Sequence, residues 1–237
     1  MINQLSLIIP VHNEEKYIKN FILEWDSCLS KQFQKYEIII CEDGSTDNTV
    51  EVITSIKKQN EKIKINSKRQ LRGYTKALID GAIDANYENI LFVDSDGQYD
   101  HNDLIKFLDE SKYLKRNFIL KGKRINRQDN YLRKTYSFLF GKLFSILFKN
   151  SLKDPSSTFV LVKKETFLFL NDYLKYGKEG FWWVFCAACT QENIKINEIG
   201  INHKPRYDGS TQVYSLRKMP NIIFKNIISL LKVKFHN

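Results

Sequence analysis

The chain has 237 residues, 43% hydrophobic and 13% aromatic, which is enough to bury the core of one domain with or without an appendage. Its 37 basic and 27 acidic side chains leave a net charge of +10, which favours anionic partners such as nucleotide phosphates, nucleic acid or an anionic membrane face. No stretch reaches the ~18 uninterrupted apolar residues of a spanning helix. Four cysteines are too few for a disulfide scaffold in a chain of this length. The chain starts directly in a predicted strand, so we expect no secretory signal.

Apolar runs and helical periodicity alternate through the first half of the chain. The apolar runs predict strands at 5–9, 36–41, 62–65 and 90–93. Helices are predicted to open at Asn13-Glu14-Glu15, to be capped by Ser45 or Thr46, and to span 74–85. Alternating strands and helices with short connections are typical of a parallel, doubly wound sheet.

The second half has a looser pattern. Helices are predicted at 104–114 and 181–190, the latter apolar all round and therefore buried, and strands at 118–120, 159–162 and 194–199. Cys186-Ala-Ala-Cys189 has the spacing of a metal or redox pair, but it lies in an apolar run with no second pair nearby. We therefore predict buried free thiols and a reducing, cytosolic compartment.

Acidic residues follow several of the predicted strands. Glu14 and Asp43 come after the first two, and Asp94 and Asp96 directly follow the strand at 90–93. Ligands of open α/β sheets bind beyond the carboxyl ends of the strands. Two carboxylates so close repel each other unless a cation lies between them, and oxygen ligands favour Mg²⁺ or Mn²⁺. Helix capping or a turn explains any one of these acids, but it does not explain the set well.

Two amphipathic segments carry much of the basic charge. Residues 121–134 are rich in lysine and arginine and lead into a run with aromatic and aliphatic residues at helical spacing. This pattern fits either a solvated face or a helix at a membrane surface. A final helix is predicted from Pro220, with an apolar arc from Ile223 to Phe235 and with Asn226 on the opposite, polar side. It can dock onto its own domain or insert shallowly into an anionic membrane.

Three motifs in order resemble those of family 2 glycosyltransferases: 8–15, 42–47 and Asp94-Ser95-Asp96-Gly97-Gln98. The third motif is most similar to that of the dolichyl- or polyprenyl-phosphate sugar synthases. The resemblance implies an α/β fold of the GT-A type, a Rossmann-like, mostly parallel sheet flanked by helices, here with a C-terminal amphipathic helix. It implies a glycosyltransferase domain over 1–215, with a nucleotide-sugar half at about 1–125, an acceptor half at about 126–215, and the helix at 216–237.

The resemblance also implies roles for individual residues. Asp94 and Asp96 are expected to act in catalysis together with Arg206, and Asp94, Asp96 and Gln98 to hold the Mg²⁺ or Mn²⁺ ion. The residues expected to bind the nucleotide-sugar are Pro10, Val11, Glu14, Asp43 and Asp94. Those expected to bind the acceptor or its phosphate are Arg124, Arg127, Arg133, Asp154, Gly209 and Ser210.

Some positions depart from the family pattern. Glu42 replaces the first of two usual aspartates, His12 replaces a common Tyr or Phe, and Leu71 precedes Arg72-Gly73 where Asn is frequent. The Gln-x-x-Arg-Trp motif of processive polysaccharide synthases is absent from the sequence, which argues against a chain-extending synthase.

The predicted activity is inverting, metal-dependent transfer of a sugar from a UDP- or GDP-sugar to polyprenyl phosphate at the cytoplasmic face of the membrane. A hydroxyl acceptor needs a general base, whereas a lipid phosphate does not, and only isolated acids such as Asp154 and Glu179 follow residue 150. A hydroxyl of a surface polysaccharide or glycolipid is the alternative acceptor. A nucleotidyltransferase is a more distant alternative, but 10–15 lack its glycine- and lysine-rich loop. We expect a peripheral membrane protein that binds an anionic surface and no nucleic acid.

Overall fold

The computed structural model describes residues 2–68, 70–125, 131–205 and 219–236. Seven strands form one sheet in the order β3-β2-β1-β4-β6-β5-β7. Their bounds are β1 Gln4–Val11, β2 Lys35–Asp43, β3 Ile63–Lys68, β4 Asn89–Phe92, β5 Phe118–Ile125, β6 Val160–Lys163 and β7 Lys195–Asn202.

Nine α-helices connect and cover these strands within the described ranges. Their bounds are α1 Ile18–Gln32, α2 Thr49–Lys57, α3 Tyr74–Asp84, α4 Leu104–Glu110, α5 Tyr131–Phe148, α6 Lys164–Phe169, α7 Asn171–Leu174, α8 Phe181–Gln191 and α9 Met219–Lys234. None of the helices in these ranges is long and apolar enough to cross a bilayer.

The sheet is mostly parallel, as predicted, with one reversed strand. β1 pairs in parallel with β2 and β4, β2 with β3, and β5 with β7. β6 runs antiparallel to both of its neighbours, β4 and β5. The amino end of β6 therefore lies at the same edge of the sheet as the carboxyl ends of the parallel strands.

Each face of the sheet has its own apolar layer. On one face, Ile8 and Phe92 pack with residues of α3, α5, α8 and α9. On the other, Leu7 and Leu91 pack with residues of α1, α2 and α4. This arrangement follows from the fully apolar strand interiors, because alternate residues of a strand point to opposite faces and both faces are covered.

Two helices begin later than predicted, and the reason is local. Asn13 has φ 56°, which is left-handed and excludes it from the helix, and a turn over 15–17 then precedes α1, which begins at Ile18. α2 begins at Thr49, and Asp47 accepts the Thr49 N–H at 3.0 Å. Ser45, predicted as a helix cap, instead accepts the N–H of Asn13 at 3.0 Å. The polar residues of the two loops therefore bind each other.

Smaller corrections concern the second half. The helix predicted at 104–114 ends at Glu110 and continues as a short 3₁₀ turn, Ser111–Tyr113. The last predicted strand extends to Asn202, because it pairs along the whole length of β5. Cys186 and Cys189 are fully buried free thiols, as predicted.

α9 docks onto the domain, but the face that docks differs from the predicted one. Leu230 and Val233 are fully buried against α5 and α8, and Asn226, predicted on the polar side, is also buried. Asn226 fits there because the position that it faces is Gly180, where an added Cβ would lie 2.8 Å from its Cγ. A second apolar stripe is exposed and consists of Phe224, Ile228 and Leu231 of α9 and of Phe235, which directly follows the helix.

Candidate functional site

The loop after β4 presents its polar residues on one side. Asp94, Asp96 and Gln98 are partly exposed, whereas Ser95 and Gly97 between them are buried. Gly97 has φ 72°, a conformation that costs glycine little, and the Gln98 N–H donates to Asp96 Oδ1 at 3.1 Å. The turn therefore keeps the three predicted metal-binding side chains on a common side of the loop.

Asp94 is oriented by two residues that the sequence did not single out. The Tyr74 hydroxyl donates to Asp94 Oδ1 at 2.8 Å, and Trp182 Nε1 donates to the Tyr74 hydroxyl at the same distance. Burial, followed by the charge of Asp94, raises the pKa of Tyr74 well above its usual range. Tyr74 therefore remains protonated and able to donate at physiological pH.

Asp43 binds the start of α3. Its two carboxylate oxygens accept the N–H groups of Arg72 at 2.7 Å and Gly73 at 3.0 Å, the residues that lead into the helix. Its side chain is only 8% exposed. Since Tyr74 follows Gly73 directly, the first turn of α3 links the predicted base-binding carboxylate, Asp43, to Asp94 of the loop after β4.

Arg72 holds the surrounding loops together. Its guanidinium donates to Asp80 Oδ2 at 2.6 Å and to the backbone oxygen of Asn66 at 3.0 Å, and it lies 3.6 Å from Asp43. The side chain is 5% exposed. This buried cation joins the ends of β2 and β3 to α3, so it fixes the edge of the sheet at which the acids meet.

The first loop lies beside the second. Pro10 and Val11 end β1 opposite Cys41 and Glu42 of β2. The N–H of Glu14 donates to Thr49 Oγ1 at 2.8 Å. Pro10, Val11, Glu14 and Asp43, which were predicted to bind the nucleotide-sugar, therefore lie at or just beyond the carboxyl ends of adjacent parallel strands.

Arg124 and Asp154, both predicted to bind the acceptor, bind each other. Arg124 Nε donates to Asp154 Oδ2 at 2.7 Å and Nη2 donates to Oδ1 at 2.8 Å, with both side chains at least 93% buried. The same loop is tied to the loop after β4, because the Thr158 N–H donates to the Tyr99 hydroxyl at 3.1 Å. The reversed strand β6 thus brings the predicted acceptor loop to the edge where the predicted metal-binding residues lie.

The end of β7 also reaches this edge. The Lys204 N–H donates to the Gln98 carbonyl at 2.8 Å, and Lys204 Nζ lies 3.1 Å from Asp100 Oδ2. The other predicted site residues, Arg127, Arg206, Gly209, Ser210 and the side chain of Arg133, lie outside the described residues. Their roles stay predictions.

The described residues contain no cluster of three His, Cys, Asp or Glu side chains arranged to hold a metal ion. Asp94 and Asp96 supply two carboxylates, and Gln98, two residues further along the same loop, adds an amide oxygen. Such an oxygen set suits Mg²⁺ or Mn²⁺, which commonly take the rest of their ligands from water and substrate phosphates. The donor chemistry of the loop is therefore compatible with the predicted ion.

The sequence profile of glycosyl transferase family 2 matches residues 6–169, more than two thirds of the chain. The chain belongs to glycosyl transferase family 2. It is accordingly a glycosyltransferase, and the matched region includes most of β1, all of β2 to β6 and the three motifs noted above.

Several named proteins are similar to this chain. It is 27% identical over 252 residues to the dolichyl-phosphate beta-glucosyltransferase of Dictyostelium discoideum, covering 97% of this chain and 77% of that protein. It is 29% identical over 227 residues to the undecaprenyl-phosphate 4-deoxy-4-formamido-L-arabinose transferase of Photorhabdus laumondii, covering 94% and 66%. An uncharacterized glycosyltransferase of Haemophilus influenzae is 32% identical over 127 residues, 54% of this chain and 46% of that protein.

A solved structure has the same fold. The glucosyl-3-phosphoglycerate synthase of Mycobacterium tuberculosis, in complex with Mn²⁺, uridine diphosphate and phosphoglyceric acid, superposes with a TM-score of 0.70 over 98% of this chain and 79% of that one. The two sequences are 16% identical. The likeness establishes the GT-A fold that the motifs implied.

Proposed function

We propose that this glycosyltransferase moves a sugar from a UDP- or GDP-sugar to polyprenyl phosphate at the inner face of the membrane, with inversion at the anomeric carbon. The observation that carries the proposal is the meeting of Asp43, Asp94 and Asp96 at one edge of the sheet, beside the loop of Arg124 and Asp154. In a single displacement, an acceptor oxygen would form the new bond to the sugar as the bond to the nucleoside diphosphate breaks.

Asp94, Asp96 and Gln98 would hold Mg²⁺ or Mn²⁺ together with the diphosphate of the donor. A bound divalent ion neutralises the charge that develops on a departing diphosphate. Pro10, Val11, Glu14 and Asp43 would line the pocket for the base and ribose. The strand order supports separate places for the base and the ion, since β1 and β2, which carry the proposed base-binding residues, lie on one side of β4, which leads into the proposed ion-binding loop.

Two observations support a phosphate acceptor over a hydroxyl acceptor. Relatives that align with nearly the whole chain are named as dolichyl-phosphate and undecaprenyl-phosphate sugar transferases. In addition, Asp154 holds Arg124 in a two-point pair, and Glu179 lies 3.1 Å from Lys225. Acids engaged in this way are poorly placed to act as the general base that a hydroxyl acceptor requires.

A transfer assay tests the proposal. Purified protein with Mn²⁺ should turn over one UDP- or GDP-sugar in the presence of undecaprenyl phosphate, and the labelled sugar should appear in the lipid fraction. Turnover with a glycan hydroxyl but not with the lipid phosphate would favour the alternative acceptor. No turnover of any nucleotide-sugar would contradict the enzymatic proposal.

A binding experiment tests the ion site. Asp96→Ala should abolish Mn²⁺-dependent binding of UDP or GDP while leaving the unfolding transition cooperative, because Asp96 is partly exposed in a loop. Asp109→Asn, an exposed acid on α4, is the matched control and should bind as the wild type does. Unchanged nucleotide affinity in Asp96→Ala would show that the ion binds elsewhere.

The exposed stripe of α9 supports attachment to an anionic membrane. Phe224 and Phe235 are 62% and 72% exposed, and Ile228 and Leu231 lie between them on the same side of the helix. Leu231, Phe235 and Tyr176 also line an open groove of about 660 Å³. Lysines flank the stripe, and no acid occurs on α9, so the helix suits the boundary of an anionic bilayer.

Vesicle sedimentation tests this surface. Burying one Phe side chain is worth about 1.5–3 kcal/mol, so Phe224→Ser with Phe235→Ser should weaken binding to phosphatidylglycerol-containing vesicles at least about ten-fold. Phe169→Ser removes an aromatic side chain that is 51% exposed on α6 and is the matched control. Equal loss in both variants, or no loss in the α9 variant, would contradict the proposed membrane face.

A further inference from the structure

A short hydrogen-bonded chain connects the metal-binding loop to α8. Trp182 Nε1 donates to the Tyr74 hydroxyl at 2.8 Å, and that hydroxyl donates to Asp94 Oδ1 at 2.8 Å. The three residues lie on α8, at the start of α3 and after β4, and 108 residues separate Trp182 from Tyr74. Trp182 lies outside the residues that the family profile matches, and Tyr74 lies in none of the three motifs quoted above.

The direction of the chain is fixed by chemistry. An indole N–H can only donate, and an ionised carboxylate can only accept, whereas a phenol does both. The Tyr74 oxygen accepts the hydrogen bond from Trp182 Nε1. The hydroxyl proton of Tyr74 is therefore available for a hydrogen bond to Asp94. We infer that Tyr74 and Trp182 are positioning residues that hold one oxygen of Asp94 and thereby aim the other at the nucleotide-sugar and its ion.

Trp182 is itself firmly placed. Its ring lies edge-on to Phe92, with the centroids 5.5 Å apart, and Lys121 Nζ lies 4.9 Å from its ring. Lys121 is fully buried on β5 and donates to the backbone oxygen of Ser157 in the predicted acceptor loop. The orientation of Asp94 therefore depends on residues of the acceptor half, which is a physical link between the donor and acceptor parts of the site.

This inference rests on the proposed function and predicts a specific effect on binding. Hydrogen bonds to charged groups contribute enough that losing one corresponds to a change of about ten-fold or more in an equilibrium constant. Tyr74→Phe should therefore weaken the Mn²⁺-dependent affinity for UDP or GDP about ten-fold and leave the affinity measured with EDTA unchanged. The ring of Tyr74 is retained, so its packing against Phe181 is preserved.

Isothermal titration with and without Mn²⁺ measures both affinities. Trp182→Phe should weaken the Mn²⁺-dependent affinity less than Tyr74→Phe does, and it should have no further effect when Tyr74 is already Phe. Tyr36→Phe is the matched control, because its hydroxyl also donates to a carboxylate, Asp26 Oδ1, at 2.8 Å. It should bind nucleotide as the wild type does.

The outcomes separate this inference from the proposed function. A wild-type protein that bound no nucleotide with Mn²⁺ would contradict the proposed function, and the positioning role with it. If the wild type binds nucleotide and Tyr74→Phe has the same Mn²⁺-dependent affinity, the inference is overturned and the proposed function stands. Additive losses in Tyr74→Phe and Trp182→Phe would also overturn it, because residues acting through one chain must be coupled. If Tyr74→Phe does not fold, Trp182→Phe alone decides, and unchanged Mn²⁺-dependent affinity in that variant would overturn the inference.

Discussion

Replacing Asp43 should lower the stability of the fold as well as disturb the proposed nucleotide site. Its carboxylate accepts the N–H groups of Arg72 and Gly73, which lead into α3, and it lies 3.6 Å from the Arg72 guanidinium. A carboxylate that only contacted a base would be replaceable without loss of stability. Asp43→Ala therefore distinguishes a purely ligand-binding role from a combined one.

The magnitude follows from these contacts. Loss of a capping side chain costs about 0.5–2 kcal/mol. Separating a buried ion pair costs about 3–5 kcal/mol, but Arg72 keeps Asp80 at 2.6 Å, so only part of this applies. We expect Asp43→Ala to lower the free energy of unfolding by about 3 kcal/mol, and Asp43→Asn, which retains one acceptor oxygen, by about half as much.

Urea unfolding followed by circular dichroism measures both variants. The midpoint should shift at unchanged slope, since the change acts on the native state rather than on the surface that unfolding exposes. Asp109→Ala, on the exposed side of α4, is the control and should unfold as the wild type does. An Asp43→Ala protein within about 0.5 kcal/mol of wild type, the usual range for surface changes, would refute the reasoning.

Three further predictions follow from burial and charge. Ellman's reagent should titrate only Cys28 in the native protein and four thiols after denaturation, because Cys28 is partly exposed and the other three thiols are fully buried; a second reactive native thiol would contradict this. Gly81→Ala should cost about 1–3 kcal/mol, because the new methyl group would collide with buried side chains of β1 and β2. Gly141→Ala, with open space around it, should stabilise by about 0.5–1 kcal/mol, and equal urea midpoints would refute the contrast. Burial acts to raise the pKa of Asp100, but hydrogen bonds and the Lys204 ion pair lower it more. Its stabilising contribution is therefore present above about pH 4 and lost as the pH falls further. In Asp100→Asn the unfolding temperature should therefore decrease less below about pH 4 than it does in the wild type.

The sequence predicted the features that depend on local patterns. The apolar runs around Ile8, Ile39 and Leu91 identified buried strands. A strand covered on both faces needs apolar side chains at every position, and these runs have them. The acids after these strands then had to share one edge, since parallel strands end together. The edge of the sheet at which the acids meet was therefore predictable without knowledge of any long-range contact.

What the sequence did not reveal depends on contacts between distant residues. Nothing near Tyr74 indicates that its hydroxyl meets Trp182, and nothing near Ser45 indicates that it binds Asn13 instead of capping a helix. The periodicity of α9 likewise could not decide which of two apolar stripes docks, because that depends on the shape of α8. Gly180, which directly precedes α8, makes room for Asn226 and so allows the stripe that includes Asn226 to dock.

The reversed position of β6 has a consequence for the order in which the chain folds during synthesis. β5 has as its neighbours β6 and β7, and both come later in the chain. At ~5–20 residues per second, the ribosome needs roughly 2–7 s to extend the chain from the end of β5 to the start of β6. During that interval β1, β2, β3 and β4 can already pair, whereas β5 has no partner strand. The nascent chain would thus hold the paired strands β1 to β4 while β5, whose first three residues are apolar, has no partner strand, so this is the stage at which β5 is most exposed to incorrect pairing.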